Sequence, residues 1–97
     1  MSGGQITGMS ITQITIDLPM EYEKKIFGEY DAFAKIVEKT YHVTLLSREG
    51  GVKVIGEPGP VEKAAAVLEK LAALAKGGGE ITEQSVNYAI SLNKEEK

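Results

Sequence analysis

The sequence predicts an α+β domain in the order β-α-α-β-β-α-α, with a three-stranded sheet covered by helices on one face. Three observations carry this. An alternating β-branched run, Ile11 to Leu18, opens the patterned part of the chain. Two strand-like runs, His42–Ser47 and Val52–Ile55, flank the paired glycines Gly50-Gly51. An Ala/Leu-rich stretch with helical spacing then follows Pro60. Strands that must bury one face and helices that must bury one stripe combine into such a two-layer domain.

Taken in order, residues 1–10 carry three glycines and no periodicity, and read as a flexible leader. Ile14, Ile16 and Leu18 then fall on one face of the first strand, as alternation requires. Pro19 ends it, because proline cannot donate to a ladder. Glu21–Phe27 reads as a brief helix with Tyr22, Ile26 and Phe27 buried, and Gly28 as its stop. Asp31 stands where an N-cap would accept backbone N–H bonds. Phe33, Ile36, Val37 and Tyr41 form the apolar stripe of a second helix, leaving Lys35, Glu38 and Lys39 to solvent. His42 opens the second strand, and Arg48-Glu49-Gly50-Gly51 is a hairpin signal. Pro60 suits a first helical position, where its missing N–H costs nothing. Val61, Ala64, Ala65, Leu68, Leu71, Ala72 and Ala75 form the stripe that follows, and Gly77 stops that helix. Thr82 reads as the N-cap of a last helix, with Ile81 and Val86 at the staple positions. Leu92 extends its apolar side, and residues 93–97 read as a polar tail or linker.

Composition narrows the function classes. Ninety-seven residues suffice for one domain. The absence of cysteine rules out disulfides and thiolate metal centres and fits a reducing cytoplasm. No apolar run is long enough to span a membrane. The single histidine, His42, has no cysteine partner, and Ser47, Ser85 and Ser91 lack the neighbours of an activated nucleophile. An enzyme is therefore not expected. The Gly77-Gly78-Gly79 run follows a helix, and no Gly-Lys-Ser/Thr closes it, so it is no phosphate-binding loop.

Helix–turn–helix–strand–strand–helix is the order of a KH-type nucleic-acid-binding fold, here with an extra C-terminal helix. In KH domains a Gly-x-x-Gly loop between two helices clamps four nucleotides. The tetrad here is Gly28-Glu29-Tyr30-Asp31, with aspartate in place of the second glycine. Tyr30 is a candidate for stacking on a base. Lys24, Lys25, Lys35 and Lys39 are the candidate phosphate contacts, and Arg48 and Lys53 lie on the hairpin that would form the second wall. The net charge of −3 argues against broad, charge-driven binding.

The runs Ile26–Glu38, Val52–Pro58, Leu71–Gly77 and Glu80–Ile90 together resemble the N-terminal domain of PhoH-like ATPases, bacterial phosphate-starvation-type proteins. An apolar-Phe-Gly turn before an Ile-rich helix carries the likeness, as does the closing Ile81-Thr82-Glu83-Gln84-Ser85-Val86-Asn87-Tyr88-Ala89, with Ser85 where Asp is usual. The resemblance implies a non-catalytic, cytoplasmic module of an ATP-binding protein in RNA metabolism. Residues 11–92 would be the KH-like domain, and residues 93–97 the lead into an ATPase domain that holds ATP and magnesium. No cofactor is expected in the chain itself. Single-stranded RNA would lie between the Gly28–Asp31 turn and the second strand, with base edges against that strand's backbone. The alternative is a docking or oligomerisation module for the ATPase domain, without RNA contact.

Overall fold

A computed structural model of the chain describes residues 10–48 and 50–95. The leader expected over residues 1–10 lies, except for Ser10, outside the described residues, as do Glu49 of the hairpin and the end of the tail. The first strand, β1 (Thr12–Asp17), is followed by α1 (Met20–Phe27), a single 3₁₀ turn (Glu29–Asp31) and α2 (Ala32–Tyr41). Strands β2 (Thr44–Arg48) and β3 (Gly51–Gly56) come next, then α3 (Pro58–Lys76) and α4 (Glu83–Glu95). The sheet is antiparallel in the order β1-β3-β2, so β1 and β2 are both edges.

Alternation sorts the sheet into two faces. Ile16, Leu45, Val52 and Val54 are buried against the helices, while Gln13, Thr15, Asp17, Thr44 and Arg48 stand exposed on the other face. An antiparallel sheet can leave one face in water in this way. Helix α3 packs against β1, β3, α1 and α2 on one side and against α4 on another. This double contact explains why Val67, which lies outside the expected stripe, is fully buried alongside Val61, Ala64 and Leu68. The small side chains Ala64, Ala65 and Ala72 let the helix approach the sheet closely, and each buried Val or Leu contributes about 1.5–3 kcal/mol through removal of apolar surface from water.

Several boundaries differ from expectation, each for a physical reason. Helix α3 starts at Pro58, two residues before Pro60, because Glu57 is extended and its carbonyl already accepts the Val61 N–H at 2.9 Å. Its C-terminal residue of positive φ is Gly78 (φ 89) rather than Gly77 (φ −80). The Gly79 N–H reaches Leu74 O and the Gly78 N–H reaches Ala75 O, the two bonds of a Schellman ending. His42 does not open β2: it is left-handed (φ 58, ψ 47) and closes α2, with the His42 and Val43 N–H groups both donating to Glu38 O.

Thr82 caps α4 as expected. Its Oγ1 accepts the Ser85 N–H at 3.1 Å, and Ser85 Oγ accepts the Thr82 N–H at 3.2 Å, a reciprocal capping box with serine at its third position. The polar tail expected from residue 93 begins later. Asn93 continues the Val86-Ala89-Ile90 stripe and is buried, its amide donating to Lys63 O at 2.9 Å and Tyr41 Oη at 3.3 Å. Leu92, expected on the apolar side, is 38% exposed.

Candidate nucleic-acid interface

The connection between α1 and α2 is built by backbone conformation more than by side-chain capping. Gly28 ends α1 with φ 80 and ψ 173, a region that only glycine occupies readily. An added Cβ there would lie 2.6 Å from the Phe33 ring, which folds back over the turn. Tyr30 and Asp31 follow in the left-handed region, with φ near 56 and 58. The Asp31 N–H returns to Gly28 O at 3.1 Å and closes the turn. The expected N-cap role of Asp31 is thus corrected: its carboxylate makes no capping bond, and its left-handed backbone is the reason. Asp is among the few non-glycine residues that visit this region routinely.

This conformation throws Tyr30 outward, 92% exposed, in the tetrad's third position. Two clefts flank the turn. One, of about 330 Å³, is lined by Glu23, Lys24, Phe27, Gly28, Glu29 and Asp31. The other, of about 630 Å³, includes Lys24, Lys25, Gly28, Glu29, Tyr30 and Phe33, and reaches Glu80 and Ile81 before α4. Lys24, Gly28 and Glu29 therefore line both clefts, Asp31 lines the first, and Lys25 and Tyr30 line the second. The Lys25 ammonium also lies 6.0 Å from the centroid of the Tyr22 ring, within cation–π reach.

The two candidate lysines of α2 stay together: at about 100° per residue, Lys35 and Lys39, four apart, lie within about 40° of one another on one face of the helix. Both are exposed. On the edge strand, Arg48 starts on the open face, yet its Nη1 bends back to donate to Ser47 O at 3.1 Å. The guanidinium consequently sits at the free edge of β2, where a ligand in the groove would meet it.

Sequence reasoning did not foresee what the groove already contains. Glu38, expected to be solvated, is half-buried, and its Oε2 accepts the Leu45 N–H at 2.8 Å. Ser47 Oγ donates to Glu23 Oε2 on α1. Two helix carboxylates thus reach across to the edge strand, and one backbone donor that base edges were expected to meet is engaged. The available signal was the position of Glu38, one residue past buried Val37 and four before the left-handed His42. Among the described residues no group of three or more His, Asp or Glu side chains could hold a metal ion, and no helix is long and apolar enough to cross a membrane.

No protein-family model matches the chain. Over 69 residues it is 35% identical to a PhoH-like protein of Bacillus subtilis (strain 168), an alignment covering 71% of this chain and 22% of that protein. The fold matches the solution structure of the first KH type I domain of human vigilin, with a TM-score of 0.64 at 17% identity, over 78% of this chain and 87% of that one. This is a KH-like domain of PhoH-like proteins. It spans about a fifth of the length of the PhoH-like relative it matches. The KH-like domain keeps the first glycine of the inter-helix tetrad and the exposed edge strand beside it. It differs in carrying Asp31 at the fourth position, with the left-handed backbone that glycine would adopt without strain.

Proposed function

We propose that this KH-like domain is a non-catalytic, single-stranded RNA-binding module of a PhoH-like ATP-hydrolysing protein, working in the cytoplasm in bacterial RNA metabolism. The observation that carries the reading is Tyr30, held almost wholly in solvent by a left-handed turn between two helices, where Lys24 and Lys25 line the clefts. KH domains present single-stranded nucleic acid to such a turn. Glu29 and Asp31 repel phosphate at the tetrad itself, so stacking on Tyr30 supplies the main affinity. Lys24, Lys25, Lys35, Lys39 and Arg48 add phosphate contacts around the rim. On this reading ATP and magnesium belong to an ATPase domain and not to this module.

The test is titration of a short fluorescent oligoribonucleotide, read by anisotropy and by amide NMR shifts at two salt concentrations. Shifts clustering on Gly28 to Lys39 are expected, and Tyr30→Ala should weaken binding about 10-fold, since stacking on one aromatic contributes about 1–3 kcal/mol per base. Absence of binding at both salts, or full affinity in Tyr30→Ala, refutes the reading.

A second reading is favoured by a separate feature. Leu74, Tyr88 and Leu92 are exposed together and, with Lys70, Leu71, Ser85 and Ala89, line a largely apolar cavity of about 280 Å³ between α3 and α4. On this reading the module docks onto its ATPase domain through that face, without RNA contact. NMR shifts confined to Leu74–Leu92 on addition of the purified ATPase domain, with none at the turn on addition of RNA, would favour it.

A further inference from the structure

We infer that two copies of this chain join through β1, edge to edge about a two-fold axis at Thr15, to form one continuous six-stranded sheet. The inference does not depend on RNA binding. It starts from the register. The Leu18 N–H donates to Gly50 O at 3.2 Å, and β1 pairs with β3 over all six of its residues. Antiparallel ladders alternate bonded and non-bonded pairs, so Ile16 and Ile14 turn their main-chain groups to β3. Gln13, Thr15 and Asp17 turn theirs away. Among the described residues nothing pairs with that outer edge, because the sheet order leaves β1 terminal.

Exposed edges in soluble proteins usually carry a guard: charged side chains, lysine above all, a proline, a bulge, or a very short strand. Thr12-Gln13-Ile14-Thr15-Ile16-Asp17 carries a single charge, Asp17, at its end, and no lysine, proline or break in register. It is also complementary to itself. Pairing about Thr15 sets Thr15 against Thr15 of the second copy, Gln13 against Asp17, and Ile14 against Ile16. The odd-numbered residues supply the hydrogen bonds, and they are the ones with free main-chain groups. No like charges meet, threonine opposite threonine is a favourable cross-strand pair, and the half-buried Ile14 gains an apolar neighbour. Residues directly opposite share a face, so both sets of helices lie on the same side of the joined sheet.

Sedimentation velocity across a concentration series tests the inference, together with hydrogen exchange at the Gln13, Thr15 and Asp17 amides. Wild type is expected to dimerise with those three amides protected in the dimer and fast-exchanging in the monomer. Thr15 is exposed, so Thr15→Lys and Thr15→Glu should each fold, as circular dichroism will show. Each should be monomeric, because like charges then face each other across the axis, with the dissociation constant raised at least 10-fold. Mixing the two variants should restore a mixed dimer. A wild type that is monomeric throughout overturns the inference, whether or not those amides are protected. So does a dimer indifferent to both substitutions, or a mixture of the two variants that stays monomeric.

Discussion

Gly28→Ala is the substitution that most directly tests how the turn is made. Its backbone, φ 80 and ψ 173, costs a side-chain-bearing residue about 1–3 kcal/mol. The new methyl would also sit 2.6, 2.8 and 3.0 Å from three atoms of the Phe33 ring, where carbon atoms prefer about 3.5–4.0 Å. The ring would have to retreat by about 1 Å, and comparable overpacking costs about 1–3 kcal/mol. Alanine restricts the unfolded chain and returns only about 0.4–1 kcal/mol. The net loss is therefore about 1–6 kcal/mol, set against the ~5–15 kcal/mol that typically separates folded from unfolded states.

Urea denaturation followed by far-ultraviolet circular dichroism measures this directly. With a slope of about 1–3 kcal/mol/M for a domain of this size, the midpoint should fall by at least about 0.3 M, and by more for a larger loss. Thermal melting should drop by roughly 4–8 °C for each kcal/mol lost. A loss under about 0.5 kcal/mol would show that the turn can adopt another conformation, and that the outward setting of Tyr30 does not depend on Gly28.

Two further substitutions probe the other left-handed positions. Asp31→Gly should stabilise the domain by at most about 1 kcal/mol: relief of left-handed strain, about 1–2 kcal/mol for an ordinary residue and less for Asp, is offset by the ~0.4–1 kcal/mol that glycine's freedom costs in the unfolded chain. It also removes a carboxylate from the tetrad, so oligoribonucleotide affinity should rise, and an unchanged anisotropy titration would count against RNA contact at the turn. His42→Gly should stabilise by a similar amount in urea, because His42 closes α2 at φ 58. A destabilised His42→Gly would mean that the imidazole makes a contact worth more than the strain.

Most of the architecture was legible because it rests on periodicity. Ile14, Ile16 and Leu18 announced β1, and the run from Val61 to Ala75 announced α3, since an apolar face must find a partner whatever the tertiary details. Less legible were features decided by neighbours distant in sequence. Asn93 reads as the start of a polar tail until α4 crosses α3 and places its amide against Lys63 O. Glu38 reads as a solvated helix residue until β2 brings the Leu45 N–H to it. Asp31 reads as a cap because its residue type allows two uses, side-chain capping or a left-handed backbone, and the chain takes the second.

Glu38 shows how stability and binding meet in one residue. Its carbonyl accepts the His42 and Val43 N–H groups that end α2, and its carboxylate accepts Leu45 N–H on β2. It therefore ties the end of α2 to the edge strand β2 through both its main chain and its side chain. An edge donor satisfied inside the protein is unavailable to a ligand unless the carboxylate moves, and breaking such a charge-assisted bond costs more than breaking a neutral one. With Leu45 N–H held by Glu38, Ser47 O held by Arg48 and Ser47 Oγ tied to Glu23, several polar groups along β2 are already engaged within the protein. On the proposed function, a ligand at this turn would gain chiefly by stacking on Tyr30. A ligand relying on phosphate capture at the turn would meet Glu29 and Asp31 first.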